Sequence, residues 1–152
     1  MVAPMPLAAM RSLVGGEIGV SGWIAIEQDR IDGFSAATDD FAAVHLDRAA
    51  ARAMGLDDTF AQGFLTLSML MRLQEGVLPE PEGMTSGFNY GFDRIRFIAP
   101  VLRGARIRGR FVLTRVEEVR PGGWQRAVSV TVEIEGEAKP ALVAEWIAYF
   151  TV

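Results

Sequence analysis

Among 152 residues there is one histidine, His45, and it stands in the stretch TDDFAAVHLD, five positions after Asp40. A carboxylate and an imidazole can between them take up and deliver a proton near neutral pH, so chemistry built here would be acid–base chemistry. The bland alternative is a hydrogen-bonded histidine without a special role, the commoner fate of a lone imidazole. Asp39 and Asp40 could likewise both simply cap or solvate a loop. The chain has no cysteine, which excludes thiolate nucleophiles, disulfides and cysteine metal sites, and a single histidine argues against a histidine-based zinc site.

The elements that must position these residues fall into two halves with different periods. In the first half a short strand-like piece near 22–26 is followed by QDRIDGFSAAT, where Ile31 and Phe34 have helical spacing, and by the helix-forming LDRAAARAM, for which Asp47 is a suitable N-cap. A third helix is expected from about Gly63 to Val77, and its start, GFLTLSMLM, is apolar on nearly every side, as in a helix buried all round. The second half is strand after strand. Val128, Val130, Val132 and Ile134 alternate with Ser129, Thr131, Glu133 and Glu135; Ile107, Phe111 and Leu113 alternate with Arg106, Arg108 and Arg110; and Pro121-Gly122-Gly123 makes the turn between the two strands. ALVAEWIAYF is apolar on both faces apart from Glu145, and a long piece from Phe88 to Ile98 completes the sheet. With no repeat, linker or low-complexity tract, residues 1–152 read as one α+β domain in which a curved antiparallel sheet wraps a central helix, a hot-dog plan.

Composition excludes several classes of function. Half of the residues are apolar and the net charge is -4, with no basic block threaded by aromatics, so nucleic acid is not the expected partner. The longest apolar run stops at Arg72, short of the roughly 20 residues needed to span a bilayer, and MVAPMPLAAMRSLVGG lacks a basic leader before its apolar part. The absence of cysteine fits a cytoplasmic protein.

The segment DFAAVH, Asp40 to His45, resembles the D-x-N-P-x-H motif of the MaoC-like dehydratases, which include the (R)-specific enoyl-CoA hydratases. The likeness continues through AQGFLTLSML, NYGFDRIRFIAPVLRGARIRGRF and KPALVAEW, and covers nearly all of the chain from about Gly15 onward. The resemblance implies a hot-dog homodimer acting on an acyl thioester, usually of coenzyme A, with coenzyme A as part of the substrate and no separate cofactor or metal. Asp40 and His45 would hold and activate one water, and the backbone N–H of Gly63 would donate to the thioester carbonyl. The reaction needs a base for water, an acid for the α-carbon and donors for the enolate-like oxygen, and the unpaired amides and positive dipole of a helix start suit that last task. Gln62, Asn89 and Tyr90 fall at further matching positions and are candidates for the substrate pocket.

Two positions depart from the motif. Ala42 stands where the family has Asn or Gln, and Gln62 stands where it has His before the glycine. Ala42 leaves the water or the loop without one side-chain hydrogen bond, and Gln62 can donate and accept but does not titrate. The alternatives are therefore a non-catalytic hot-dog protein that binds an acyl thioester or a partner subunit, which Ala42 favours, and a thioesterase, which the same fold hosts. The stripe Arg106, Arg108, Arg110 reads as an exposed strand face rather than a phosphate site, and Met54, Met69 and Met71 read as core filler.

Overall fold

A computed structural model describes residues 2–152. After a short helix α1 (Leu7–Ser12) come β1 (Glu17–Val20), β2 (Ile24–Ala25), α2 (Gln28–Thr38), α3 (Ala43–Leu46), α4 (Arg48–Ala53), α5 (Gly63–Ser68) and α6 (Leu70–Leu73). Four long strands close the chain: β3 (Ser86–Phe97), β4 (Arg106–Arg120), β5 (Gly123–Ile134) and β6 (Leu142–Thr151). They form a six-stranded antiparallel sheet in the order β1-β4-β5-β6-β3, with β2 pairing on β4. No helix among the described residues is long and apolar enough to cross a membrane.

The strand alternation read from the sequence is the observed one. Ile107, Phe111 and Leu113 of β4 and Val128, Val130, Val132 and Ile134 of β5 are buried in one core with Leu142, Ala144 and Trp146 of β6. Removing such side chains from water at about 25 cal/mol per Å² is the main term that holds the sheet to the helix. The β4–β5 turn closes in two residues because Pro121 presets one dihedral and Gly122 takes a φ of 72°, where a side chain would be strained. On the outer face the arginines are neutralised by register: Arg108 meets Glu133 at 2.6 Å, Arg110 reaches Glu133 and Glu17, and Arg106 meets Glu135 at 2.9 Å. That stripe is an exposed strand face, as its alternation implies.

The helical half differs from expectation in three respects. The chain forms α1 and β1, for which no sequence signal was drawn. The central helix runs to Leu73 rather than Val77 and is broken for one residue at Met69. It is also not buried all round: Leu65, Met69, Leu70 and Leu73 enter the core, while Phe64 is 66% and Met71 47% exposed on the side toward β3. An apolar sequence on every side cannot distinguish core from a surface that something else covers. Of the methionines read as filler, Met69 is core, whereas Met54 and Met71 are exposed.

Candidate active site

The aspartate pair closes α2. Asp39 is the C-cap, with a left-handed φ of 56°, a conformation that aspartate tolerates better than most residues; it is exposed. Asp40 is half-buried, and its Oδ1 accepts from the Ala42 amide at 3.3 Å. Ala42, which lacks the family's side-chain polar group, thus orients the carboxylate through its backbone.

His45 lies in α3 and is 8% exposed. Its Nδ1 is 2.7 Å from the carbonyl oxygen of Phe60. A carbonyl only accepts, so Nδ1 carries the proton, and in the neutral ring Nε2 holds a free lone pair. The ring is also braced by the edge of Phe60, with centroids 4.7 Å apart. A clamp from α2 holds both partners: Gln28 Nε2 donates to the His45 carbonyl at 2.9 Å, and the Thr59 hydroxyl donates to Gln28 Oε1 at 2.6 Å. Next to it the Thr59 amide donates to Asp58, and this bond, with Arg103 and Arg48, holds the Asp58 carboxyl below its ordinary range. Gln28, Thr59 and Phe60 carry no local sequence signal; they become relevant only where 28, 45 and 59–60 converge.

The segment that receives His45 leads directly to Gly63. Phe60 bridges to Leu102 and the Ala61 amide donates to the Val101 carbonyl, so the three residues before α5 are pinned. A cavity of about 310 Å³ opens there, lined by Phe60, Gly63, Thr66, Phe97 and Pro100 among others. A Cβ at residue 63 would lie 3.1 Å from the Phe97 ring, so glycine is favoured by close approach rather than by an unusual φ. No side chain caps α5.

The other predicted pocket residues go elsewhere. Gln62 is 2% exposed and turned toward α2, donating to Ser35 Oγ at 2.8 Å, and its Oε1 has no partner. Asn89 donates to Met71 Sδ at 3.3 Å and lines a second, larger cavity beside α6; Met71 is about 12 Å from Gly63 along the helix. Tyr90 is exposed, sits where the β3 register shifts, and lines neither cavity. His45 is joined through Phe60 to the segment that carries Gln62 and Gly63, Asp40 lies in the loop just before α3, and Asn89 and Tyr90 lie on β3.

A family model described as "MaoC like domain" matches residues 10–137. The chain belongs to the MaoC-like domain family. It is 47% identical over 144 residues to Nodulation protein N of Rhizobium meliloti, covering 93% of this chain and 89% of that protein. It is 40% identical over 144 residues to 3-hydroxyacyl-thioester dehydratase Z of Mycobacterium tuberculosis, covering 95% of each. Among solved structures it superposes on the (R)-hydratase of A. caviae with a TM-score of 0.68 at 20% identity, covering 86% of this chain and 95% of that one, which shows this MaoC-like chain to have the hot-dog fold.

Proposed function

We propose that the protein is a hydro-lyase that adds water to a trans-2-enoyl-CoA to form an (R)-3-hydroxyacyl-CoA, and catalyses the reverse dehydration. The observation that carries this reading is the tautomer of His45: with Nδ1–H committed to Phe60, Nε2 is free to take a proton from a water that Asp40 also holds. The water oxygen bonds to the β-carbon as its proton passes to the Asp40–His45 pair, the double-bond electrons move toward the α-carbon and thioester oxygen, the Gly63 amide receives the developing charge, and the pair then delivers a proton to the α-carbon. The dehydratase relative and the family support the reaction class, and the absence of cysteine fits a cytoplasmic setting. Coenzyme A enters only as part of the substrate. Ala42 favours the second reading, a binding protein without turnover, and the name of the nodulation relative states no reaction.

Incubation with crotonyl-CoA and longer trans-2-enoyl-CoAs, following enoyl absorbance and free thiol together, separates the readings. Loss of enoyl signal without thiol is expected; thiol release means a thioesterase, and neither signal with retained binding means the binding protein.

The active unit in this reading is a symmetric homodimer. β3 is a 12-residue edge strand, and Phe88, Tyr90 and Phe97 on it and Ile98 just after it, with Phe64 and Met71 of the helix beside it, are large apolar residues left in water by one subunit. Long apolar edges of this kind are covered in stable proteins. Sedimentation at micromolar concentration should give a dimer; a stable monomer overturns this.

A further inference from the structure

Two glutamines tie the segment before α5 to α2. Gln28, at the start of α2, holds the His45 carbonyl and the Thr59 hydroxyl. Two turns on, about 10 Å along the same face of that helix, the Ser35 hydroxyl accepts from Gln62 Nε2 at 2.8 Å. Ile31 lies between them, fully buried, and its carbonyl oxygen is 3.5 Å from the same nitrogen. The end of α2 then leads into Asp40, so one helix is joined to every part of the proposed site.

The tie at Ser35 comes with a defect. Gln62 is 2% exposed and Ser35 1%, and Gln62 Oε1 is closed to solvent and meets no donor among the described residues. A buried amide oxygen without a donor lowers stability, whereas an apolar side chain of the same shape brings no such penalty. Stability alone therefore favours a residue such as methionine here. What Gln62 supplies and methionine does not is a directed bond to α2, made by the residue immediately before Gly63. The Gln62 backbone carbonyl also accepts from the Thr66 amide at 3.1 Å, so the bond to Ser35 and the first turn of α5 meet in one residue.

We propose that Gln62 is a positioning residue: its bond to Ser35 locks the start of α5 to α2, so that the Gly63 amide is held in fixed relation to His45 and Asp40, at the expense of an orphaned Oε1. This rests on the reading of Gly63 as the donor to the thioester oxygen. Gln62 acts through Gly63 rather than on the substrate, because its side chain is turned to Ser35 and is not part of the wall of the cavity that Gly63 lines.

Crotonyl-CoA hydration and urea melts of the wild type, Gln62→Met, Ser35→Ala and Gln62→His test this. Gln62→Met keeps the shape and removes both the directed bond and the orphaned oxygen, and the Ser35 hydroxyl can turn to the Ile31 carbonyl one turn back. Its urea midpoint should equal or exceed that of the wild type. Its kcat should nevertheless fall by about 10- to 100-fold with KM changed less than about threefold, as when a transition-state donor is displaced by up to about 1 Å. Ser35→Ala leaves the whole Gln62 amide without a partner; it should melt earlier and show the same loss of kcat, and the double variant should lose no more than either alone. Gln62→His, which keeps an N–H donor of similar reach, should recover most of the kcat lost in Gln62→Met. A side chain that only supports the fold gives the reverse pattern, an earlier melt with unchanged kcat, and that result overturns the proposal. Should Gln62→Met fail to fold, a wild-type kcat in Ser35→Ala overturns it equally. A wild type that hydrates nothing removes the hydratase reading separately, and the amide resonance of Gly63 then reads its placement without turnover: Ser35→Ala should shift it, and an unmoved resonance overturns the proposal.

Discussion

The outer face of β4 and β5 and the surroundings of His45 use polar groups in opposite ways. The arginine–glutamate ladder is half-exposed and redundant: Glu133 serves both Arg108 and Arg110, and Arg110 has Glu17 in addition. Each such pair contributes about 0–1 kcal/mol, and losing one member leaves a charge that water can still solvate. Around His45 the contacts are fewer: Nδ1 has one carbonyl, and one glutamine, whose Nε2 also serves Asp32, joins α2 to α3 and to residue 59. Losing one of these strands a polar group away from water, at about 1–3 kcal/mol. Density of charge therefore does not single out the proposed active site; the hydrogen bonds around His45 do.

The strongest way to break this contrast is at the proposed dyad. Asp40→Asn and His45→Gln should each lower hydration turnover by about 10² or more with folding nearly intact, and the double variant should cost far less than the product of the two. Asp39→Asn keeps a residue that tolerates the left-handed cap and should be nearly silent in turnover. If it is as damaging as Asp40→Asn, the register is wrong, and if none of the three matters, the His45 neighbourhood is structural only.

Gly63→Val comes next. The new side chain meets the Phe97 ring, which is 48% exposed and can yield, so the fold should survive. A displacement of the α5 start by about 1 Å should nevertheless lower turnover by up to about 10²-fold. A normally folded Gly63→Val with full activity would mean that the thioester carbonyl binds elsewhere.

Two substitutions then set the regions directly against each other in denaturant melts. Gln28→Ala should lose about 1–3 kcal/mol by leaving the Thr59 hydroxyl and the His45 carbonyl without their partner, and should lower turnover as well. Glu133→Gln should lose no more than about 1 kcal/mol and leave turnover unchanged. The Glu133 carboxyl is held below its ordinary value, first by its hydrogen bond from Arg110 and then by Arg108. Its stabilising contribution is therefore fully present above the unfolded value of about 4.3 and disappears as pH falls through the lower folded value. Between pH 7 and pH 3 the wild type should lose slightly more stability than Glu133→Gln. Equal costs for Gln28→Ala and Glu133→Gln at pH 7 would erase the distinction between the regions.

Much of the architecture was legible because it depends on neighbours in the chain. Period-two alternation located β4 and β5 and their buried faces, a run apolar on both faces located β6, Pro121-Gly122 located a turn, and Asp47 caps α4 as expected, accepting from the Ala49 amide at 2.8 Å. Spacing and family resemblance also singled out Asp40, His45 and Gly63, and of these the fold joins His45 to the segment that leads into Gly63. The direction of Gln62 was not legible because a residue at a helix start can face either the cavity or the neighbouring helix, and here Ser35 stands on the helix side. Asn89 and Tyr90 match a motif, but the motif does not encode how far along the central helix β3 carries them.

What the sequence by itself determined is periodic or adjacent: the strand faces, the turn, the caps, and a carboxylate and an imidazole at a motif's spacing. Only the tertiary structure decided that His45 has its Nδ1 proton committed to Phe60, that Gln28 and Thr59 hold that arrangement, and that Gln62 turns to Ser35. The physical reason is that a strand's period is set by its own backbone geometry, whereas a tautomer or a clamp depends on groups brought together from distant parts of the chain.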